Sequence, residues 1–378
     1  MRTLFLAWLT GAIAACSSSH SGPAPLHDSG SGPLPDSGPA PLRDGSADVT
    51  VGRPDASLCH LGAADADADA GSFDASAPPP SDRLFFIGNS FTSTNDLPGT
   101  LAAMVKAWSA SSAYVDSFTV GGSTLAEDVS LLQDGGSDAG LRPLVEAADG
   151  GSARWTDVML QEQSEIPGFP LSNSERIQSM DAVVNLSALV VRAHAVPVIV
   201  MTWGYRSGDS ANPSLYPDFL TMEGLLDTGF RQMQHAVTVA GYPVRAAPVG
   251  PAFQAVYESD VAAGRVPTAS TSTFFSLYES DGKHPAPPGT YLMALVLMST
   301  LYDVDPTTVC ANPESLPSGV QSTLAEAART AVLAERAYVG GGDAGNFDAG
   351  EGGLLCGPCP SCGGIAPACC GPIAPCPP

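Results

Sequence analysis

The chain has 378 residues, of which 44% are hydrophobic and 15% are charged, and its formal net charge is −23 at pH 7. That length is sufficient for one substantial core with further segments outside it. The negative charge argues against nucleic acid or an anionic membrane surface as a partner. Much of this charge comes from aspartates in a low-complexity segment, so it carries little information about the fold.

The first fifteen residues have the pattern of an export signal. One basic residue, Arg2, precedes an apolar run at residues 4–9, which is too short to span a bilayer. The segment ends in Ile13-Ala14-Ala15-Cys16, which resembles the bacterial lipobox. This resemblance implies that residues 1–15 are removed and that Cys16 carries a lipid anchor in the membrane. Ser17 after the cysteine implies sorting to the outer membrane or cell surface, and an ordinary cleavage site without lipid is the alternative.

Residues 16–82 form a linker in which Gly, Pro, Ser, Ala and Asp predominate. Near-repeats such as GPAPLHDSG and GPLPDSGPAPLRDG occur there, and large apolar side chains are scarce. The segment offers too little apolar surface to offset the entropy of ordering it, so we expect it to be disordered.

A Gly- and Pro-rich tail, residues 340–378, holds most of the cysteines. In an exported protein such cysteines form disulfides more often than a zinc site, although their pairing cannot be deduced from the sequence. Cys59 and Cys310 then remain, either paired with each other or free.

Residues 83–339 carry the pattern of one α/β domain. Short apolar runs, typical of strands buried on both faces, alternate with amphipathic helical stretches. The predicted strands are residues 84–87, 114–120, 156–160, 196–202 and 243–248. The predicted helices are residues 97–109, 174–194, 218–240, 291–302 and 320–338. This alternation predicts right-handed crossovers and a three-layer α/β/α sandwich with a central parallel sheet.

Three of these helices have a predicted buried stripe at helical spacing. At the start of the second predicted helix, Ser172 and Glu175 form a predicted capping box. The stripe of this helix is Ile177, Met180, Val184, Ala188 and Val191. The stripe of the third is Leu226, Phe230, Met233, Val237 and Ala240. The stripe of the last is Val320, Leu324, Ala327, Ala331, Ala334 and Tyr338.

The first predicted strand runs directly into a Gly-Asn-Ser turn that ends at Ser90. This turn places Ser90 at the C-terminal edge of the sheet, where open α/β sheets bind ligands. Of the domain's histidines, His194 ends a helix and is expected to be structural, and His235 is expected on the surface. His284 stands in an irregular loop three residues after Asp281. A carboxylate there can accept the Nδ1–H and leave Nε2 to take a proton from serine.

Gly88-Asn89-Ser90 and Asp281-Gly282-Lys283-His284 together resemble two motif blocks of the SGNH, or GDSL-type, hydrolases, in a divergent bacterial branch. The resemblance implies a flavodoxin-like fold and ester hydrolysis through an acyl-serine intermediate. It implies Ser90 as the nucleophile, His284 as the base and then the acid, and Asp281 as the group that orients the imidazole. No metal or cofactor is required. Thr92 stands where the Gly-x-Ser-x-Gly motif of the other common serine-hydrolase fold has glycine.

The resemblance also implies an oxyanion hole built from three donors. They are the backbone N–H of Ser90, a glycine after the second strand and a side-chain amide after the third. The glycine is Gly122 in preference to Gly121. The family has Gly-x-Asn-Asp after its third strand, whereas this chain has Gln-Glu-Gln-Ser. We expect Gln163 to replace the asparagine, with Gln161 as the alternative.

Trp203 and Tyr205 follow the fourth predicted strand at the same edge of the sheet. They either line an acyl or sugar pocket or simply pack in the core. Many exported relatives deacylate carbohydrates, so the expected substrate is a glycan ester or a small-molecule ester outside the cytoplasm. The alternative function is a binding module of the same fold, tethered to the cell surface and impaired in catalysis.

Overall fold

The computed structural model describes Phe73 and residues 82–109, 111–133, 140–151 and 155–340. Cys16, nearly all of the linker predicted over residues 16–82 and the cysteine-rich tail lie outside the described residues, as does Cys59. Export, lipidation, linker disorder and tail disulfides therefore stay predictions. Cys310 is disulfide-bonded, so the alternative of a free thiol at this position is wrong.

Five parallel strands form the sheet of the described chain, in the spatial order β2-β1-β3-β4-β5. Their bounds are β1 Arg83–Gly88, β2 Tyr114–Thr119, β3 Asp157–Leu160, β4 Val196–Val200 and β5 Arg245–Ala247. β1 lies between β2 and β3, and its apolar run is buried because helices cover both faces of the sheet. The predicted α/β fold with a central parallel sheet is confirmed.

The connections between these strands are helical. In chain order the helices are α1 Ser90–Ser93, α2 Leu97–Ser109, α3 Leu125–Gln133, α4 Arg142–Ala148, α5 Ser174–Arg192, α6 Phe219–Val239, α7 Val249–Ala262, α8 Thr273–Ser276, α9 Pro287–Tyr302 and α10 Ser318–Gly340. Right-handed crossovers place α2 on one face and the helices between β2 and β5 on the other. In agreement, α2 packs against α9 and α9 against α10, whereas α5 packs against α3, α4 and α6.

The strand order creates a crevice at the C-terminal edge of the sheet. The chain leaves β1 toward β2 on one side and leaves β3 toward β4 on the other. Connections that diverge in this way leave an opening between them, which is where doubly wound sheets bind ligands. Ser90 follows β1 and the segment Gln161–Ser164 follows β3, so both lie at this opening.

The predictions for α5 are wrong in two details. Its N-cap is Asn173, whose side chain accepts a hydrogen bond from the backbone N–H of Arg176, and not Ser172. Its buried face is shifted from the predicted stripe, because Arg176 and Ser179 are buried while Ile177 is 50% exposed. Each has a partner from a distant segment, since Arg176 Nη2 donates to the carbonyl of Gly229 and Ser179 Oγ donates to Glu162. A count of apolar residues cannot detect such partners, although Nε and Nη1 of Arg176 have none among the described residues.

The other two stripes agree better with the structure. In α6, the predicted residues from Leu226 to Val237 are buried, and Ala240 is the exposed residue that caps the helix. In α10 the middle of the stripe is buried, but Ala334 and Tyr338 are exposed. Among the described helices, none is long and apolar enough to cross a membrane.

Packing of the domain extends beyond the predicted boundary at residue 83. Phe73 is half-buried against the core, and the guanidinium carbon of Arg336 on α10 lies 4.1 Å from its ring centroid. Aromatic burial and a cation–π contact therefore attach the end of the linker to the last helix.

Candidate active site

The turn after β1 presents Ser90 at the first position of α1. Asn89 caps this short helix with its side-chain oxygen, which accepts the N–H of Phe91 at 3.0 Å. Gly88 is required by a close approach, because a Cβ there would lie 2.7 Å from Oε1 of Gln161 and 2.8 Å from Oγ1 of Thr92. The hydroxyl of Ser90 is half-buried, so it remains open to a ligand on one side.

Ser90, His284 and Asp281 form one hydrogen-bonded series. His284 Nε2 lies 2.8 Å from Ser90 Oγ, and His284 Nδ1 lies 2.5 Å from Asp281 Oδ2. The second oxygen of Asp281 accepts the backbone N–H groups of Lys283 at 2.9 Å and of His284 at 3.1 Å. The structure therefore brings together three side chains from the two ends of the domain, in the order required for proton transfer from serine.

The electrostatics of Asp281 favour its ionised form. Partial burial of this carboxyl opposes ionisation, but the hydrogen bond from the His284 ring and those from two backbone N–H groups outweigh it and lower the pKa of Asp281. A carboxylate at this position holds the proton on Nδ1 of His284. Nε2 is then left as an acceptor for the hydroxyl proton of Ser90.

The loop that carries His284 is held from three directions. Gly282 has a φ of +71°, a conformation that favours glycine, and its carbonyl accepts the N–H of Arg206 at 2.9 Å. The Nδ2–H of Asn95 donates to the carbonyl of Pro285 at 2.7 Å. The Nε1–H of Trp203 donates to the carbonyl of Lys283 at 3.1 Å. These bonds limit the movement of the imidazole relative to Ser90.

Trp203 lies beneath the site rather than in the wall of an open pocket. Its side chain is 0% exposed and is stacked between Phe91 at 4.7 Å and Phe253 at 4.6 Å, measured between ring centroids. Phe91 in turn meets the ring of His284 edge-on at 5.2 Å. Of the two alternatives for Trp203, core packing is therefore correct and pocket lining is wrong, and its aromatic stack supports the histidine from below.

Tyr205 lines a cavity of about 270 Å³ that adjoins Asp281. The phenol oxygen of Tyr205 lies 2.7 Å from Ser164 Oγ, and the Nζ of Lys283 lies 4.2 Å from the centroid of its ring. Lys283 also pairs with Asp209 at 3.4 Å. The cavity wall is thus polar and carries both signs of charge next to the triad.

Glu165 and Asp209 form an acidic pair at the same side of the site. Burial, and then the neighbouring carboxylate of Asp209, raise the pKa of Glu165. Burial of Asp209 opposes its ionisation, but hydrogen bonds from Asn212 and from the N–H of Ala211 outweigh it and lower the pKa of Asp209. Of the two carboxyl groups, Glu165 therefore has the higher pKa and takes up a proton first as the pH falls.

The glycine turn after β2 lies beside Ser90. The N–H of Ser123 donates to the carbonyl of Val120 at 3.0 Å, which closes a turn over Gly121 and Gly122, and Gly122 has a φ of +74°. Both glycines are exposed. The side chain of Asn89 donates to the carbonyl of Ser123 at 3.0 Å and ties this turn to the nucleophile turn.

The two glutamines after β3 have different environments. Gln161 is 1% exposed, and its Oε1 accepts the N–H of Asn89 at 3.0 Å and the hydroxyl of Thr92 at 2.9 Å. Gln163 is half-buried; its Oε1 accepts the N–H of Glu165 at 3.0 Å and its Nε2 donates to a Glu165 oxygen at 3.3 Å. One hydrogen of the Gln163 amide remains for a ligand, whereas Gln161 supports the nucleophile turn from inside.

Sequence reasoning missed Glu162, which lies between these glutamines. Its side chain is 0% exposed, and burial raises its pKa although three hydrogen bonds favour the ionised form. A glutamate two residues after a buried strand was the available signal. His235 is exposed as expected, and His284 contacts Ser90. His194 is exposed just after α5, and its structural role stays a prediction. Across the described ranges, no group of three or more His, Cys, Asp or Glu side chains is arranged to hold a metal ion.

The chain has structural similarity to several solved proteins. One solved structure is a candidate SGNH hydrolase from Slackia heliotrinireducens, 26% identical, with a TM-score of 0.43, covering 58% of this chain and 99% of that one. A DUF4886 family protein from Bacteroides uniformis is 16% identical, with a TM-score of 0.49, covering 67% of this chain and 95% of that one. A lipase/acylhydrolase from Enterococcus faecalis is 12% identical, with a TM-score of 0.36, covering 57% of this chain and 93% of that one.

No protein-family model matches the chain, and no curated protein matches it either.

Proposed function

We propose that this protein is a serine esterase that acts through an acyl-serine intermediate. The observation that carries the proposal is the series Ser90–His284–Asp281, with heavy-atom distances of 2.8 Å and 2.5 Å between successive side chains. A nucleophile, a base within hydrogen-bond reach and a third group that orients the base are the requirements of nucleophilic acyl transfer. The similarity to hydrolases of related architecture agrees with this reaction.

In the proposed reaction, Ser90 Oγ attacks the ester carbonyl while His284 Nε2 accepts its proton. The imidazolium formed is stabilised by Asp281, whose lowered pKa keeps it ionised. His284 then gives the proton to the leaving alcohol oxygen as the carbon–oxygen bond breaks. Water attacks the acyl-serine with His284 again as base, which releases the acid and returns the proton to Ser90.

The oxyanion of each tetrahedral intermediate needs donors at the mouth of the crevice. We assign this role to the N–H groups of Ser90 and Gly122 and to the amide of Gln163, with Gly121 as the alternative glycine. Ser90 and Gly122 are joined through the hydrogen bond between Asn89 and Ser123, so their relative position is set by the fold. The free hydrogen of the Gln163 amide supplies the third donor.

An accessible site suits a short acyl group on a large alcohol. The side chains of Asp281 and His284 are 44% and 32% exposed, so the triad lies near the surface. We propose a glycan or small-molecule ester outside the cytoplasm as the substrate.

We also propose that Cys16 is the lipid-bearing N-terminus of the mature protein. Cys16→Ser should release the protein from detergent-phase membranes, and a mature N-terminus mapped elsewhere by mass spectrometry would exclude the anchor.

Labelling by a fluorophosphonate probe and hydrolysis of p-nitrophenyl acetate test the reaction. Ser90→Ala should abolish labelling and lower kcat by at least about 10³-fold. Ser93→Ala is a matched control, because Ser93 is exposed in the same short helix; it should label and turn over like the wild type. A folded wild-type protein that neither labels nor turns over short esters would replace the esterase by a binding module.

A further inference from the structure

The buried carboxylate of Glu162 accepts hydrogen bonds from three separate segments. Its Oε1 accepts the backbone N–H of Gln163 at 2.7 Å and that of Leu125 at 3.1 Å. Its Oε2 accepts the hydroxyl of Ser179 on α5 at 2.6 Å. A side chain that is 0% exposed and could ionise is costly unless it is well bonded, so its presence here calls for a role.

The bond to Leu125 reaches the segment that carries the oxyanion glycine. Leu125 is the first residue of α3 and comes three residues after Gly122, and the N–H groups at a helix start have no partner within the helix. A carboxylate is favoured there by both the free N–H and the helix dipole. Glu162 therefore holds the start of α3, and with it the glycine turn, against the end of β3.

The same oxygen of Glu162 also holds Gln163. Because Oε1 accepts both N–H groups, one atom sets the separation between the Gly122 segment and the Gln163 segment. Neighbouring bonds close the arrangement: Gln161 accepts the N–H of Asn89, and Asn89 donates to Ser123. The three connections after β1, β2 and β3 are thus joined in a ring of hydrogen bonds.

We propose that Glu162 is a positioning residue for the oxyanion hole. It touches no reacting atom; it fixes the distance between two of the three donors assigned above, and the inference rests on that proposed function. Donors of an oxyanion hole act because they are held in place before the charge develops. Loss of Glu162 should therefore lower kcat and leave KM nearly unchanged, since the ground-state substrate does not use the hole.

Two substitutions of Glu162 separate the effect of its hydrogen bonds from the effect of its side-chain volume. Glu162→Leu removes the acceptor for both N–H groups, and kcat should fall by about 10- to 100-fold with KM within about twofold. Glu162→Gln keeps Oε1 as an acceptor and can donate from its amide to Ser179 Oγ, so kcat should stay within about threefold. A kcat for Glu162→Leu equal to that of the wild type would overturn the inference, as would equal losses in both variants.

Glu127→Ala is the matched control. Glu127 is exposed and also bonds to the start of α3, where its carboxylate accepts the N–H of Thr124 at 2.9 Å, but it makes no bond to the Gln163 segment. Removing its carboxylate should leave kcat within about twofold of the wild-type value.

A double variant tests whether Glu162 acts through Gln163. In a Gln163→Ala background, Glu162→Leu should lower kcat by a much smaller factor than in the wild type, because part of its effect passes through Gln163. Full additivity would contradict the inference.

A backbone pair of variants covers the case in which Glu162→Leu does not fold. Leu125→Pro and Leu125→Ala both remove the buried leucine side chain, but only proline also removes the N–H donated to Glu162, at a helix position that tolerates proline. kcat for Leu125→Pro should be about tenfold below that of Leu125→Ala, at similar KM. Equal kcat values would overturn the inference. An inactive wild type would overturn the esterase itself, whereas an active wild type with these variants unaffected would overturn only the role of Glu162.

Discussion

Asp281→Asn should impair catalysis more than Asp281→Ala, although asparagine is the closer match in shape. In the wild type, Oδ1 of Asp281 accepts the N–H groups of Lys283 and His284, and Oδ2 faces Nδ1 of His284. An asparagine places its single oxygen toward two backbone donors or toward one ring nitrogen. With its oxygen toward the two backbone donors, the asparagine keeps one more hydrogen bond and turns its amide hydrogens toward Nδ1. The imidazole then carries its proton on Nε2 and cannot accept the proton of Ser90.

The size of this effect follows from the bonds at Asp281. The unproductive orientation makes two backbone bonds where the productive one makes a single bond to the ring, a difference of about 1 kcal/mol. It also avoids placing the amide hydrogens against the two backbone N–H groups, which would cost about 1 kcal/mol more, so it is favoured by about 2 kcal/mol in total. That is a factor of about 30. Asp281→Ala should cost about 10²-fold, because water can partly replace an exposed carboxylate. Asp281→Asn should therefore lose about 3 × 10³-fold, close to the roughly 10⁴-fold loss when the same change traps the wrong tautomer in a serine protease.

The assay is kcat/KM for p-nitrophenyl acetate, measured for both variants beside the wild type at the same pH. Circular dichroism and thermal unfolding establish that both variants are folded. If Asp281→Asn is as active as Asp281→Ala, or more active, then the amide does not set the tautomer, and Asp281 acts in some other way than by orienting His284.

Three further outcomes are expected. Ser90→Ala and His284→Ala should each abolish most of the esterase activity, and the double variant should be scarcely worse than either, because members of a triad are strongly non-additive; additive losses in kcat would contradict this. Gln163→Ala should lower kcat by about 10²–10³-fold at unchanged KM. Gln161→Ala should mainly lower the free energy of unfolding, by about 2–3 kcal/mol, because two buried donors lose their acceptor. If Gln161→Ala lowers kcat more than Gln163→Ala does, the oxyanion role moves to Gln161. Glu223 is fully buried with one oxygen unpaired, and burial raises its pKa to about 8. The folded state keeps this proton at pH values where the unfolded chain has released it. The free energy of unfolding should therefore fall by up to about 1.4 kcal/mol per pH unit as the pH rises from about 4.5 to 8. Denaturation curves of Glu223→Gln should show a smaller fall in the free energy of unfolding over this range.

The strands and long helices could be predicted because their signals are local. β1 is a continuous apolar run that is buried on both faces, and α2 has the bounds that the sequence predicts. Apolar residues at a helical or strand spacing report directly on which surface a segment must bury. The order in which such segments alternate then restricts the sheet to a parallel arrangement with right-handed crossovers.

Ser90, Asp281 and His284 could be named from the sequence because each stands in a short motif with a chemical requirement of its own. Their contact could not be derived from the motifs, because 194 residues separate Ser90 from His284 and only the strand order brings them to one edge. The resemblance to a family supplied that step. The buried position of Trp203 was equally hidden, since an aromatic residue after a strand can face a pocket or the core.

Length, composition and short motifs by themselves determined the fold class, the five strands, five of the ten described helices and the residues Ser90, Asp281 and His284. The tertiary structure alone decided which polar groups are buried. Arg176 on α5 donates to the carbonyl of Gly229, 53 residues away, and Glu162 accepts the N–H of Leu125, 37 residues away. The spacing of apolar residues can be read locally and indicates most of the buried faces, whereas polar burial depends on whether a partner from another segment arrives within hydrogen-bond distance.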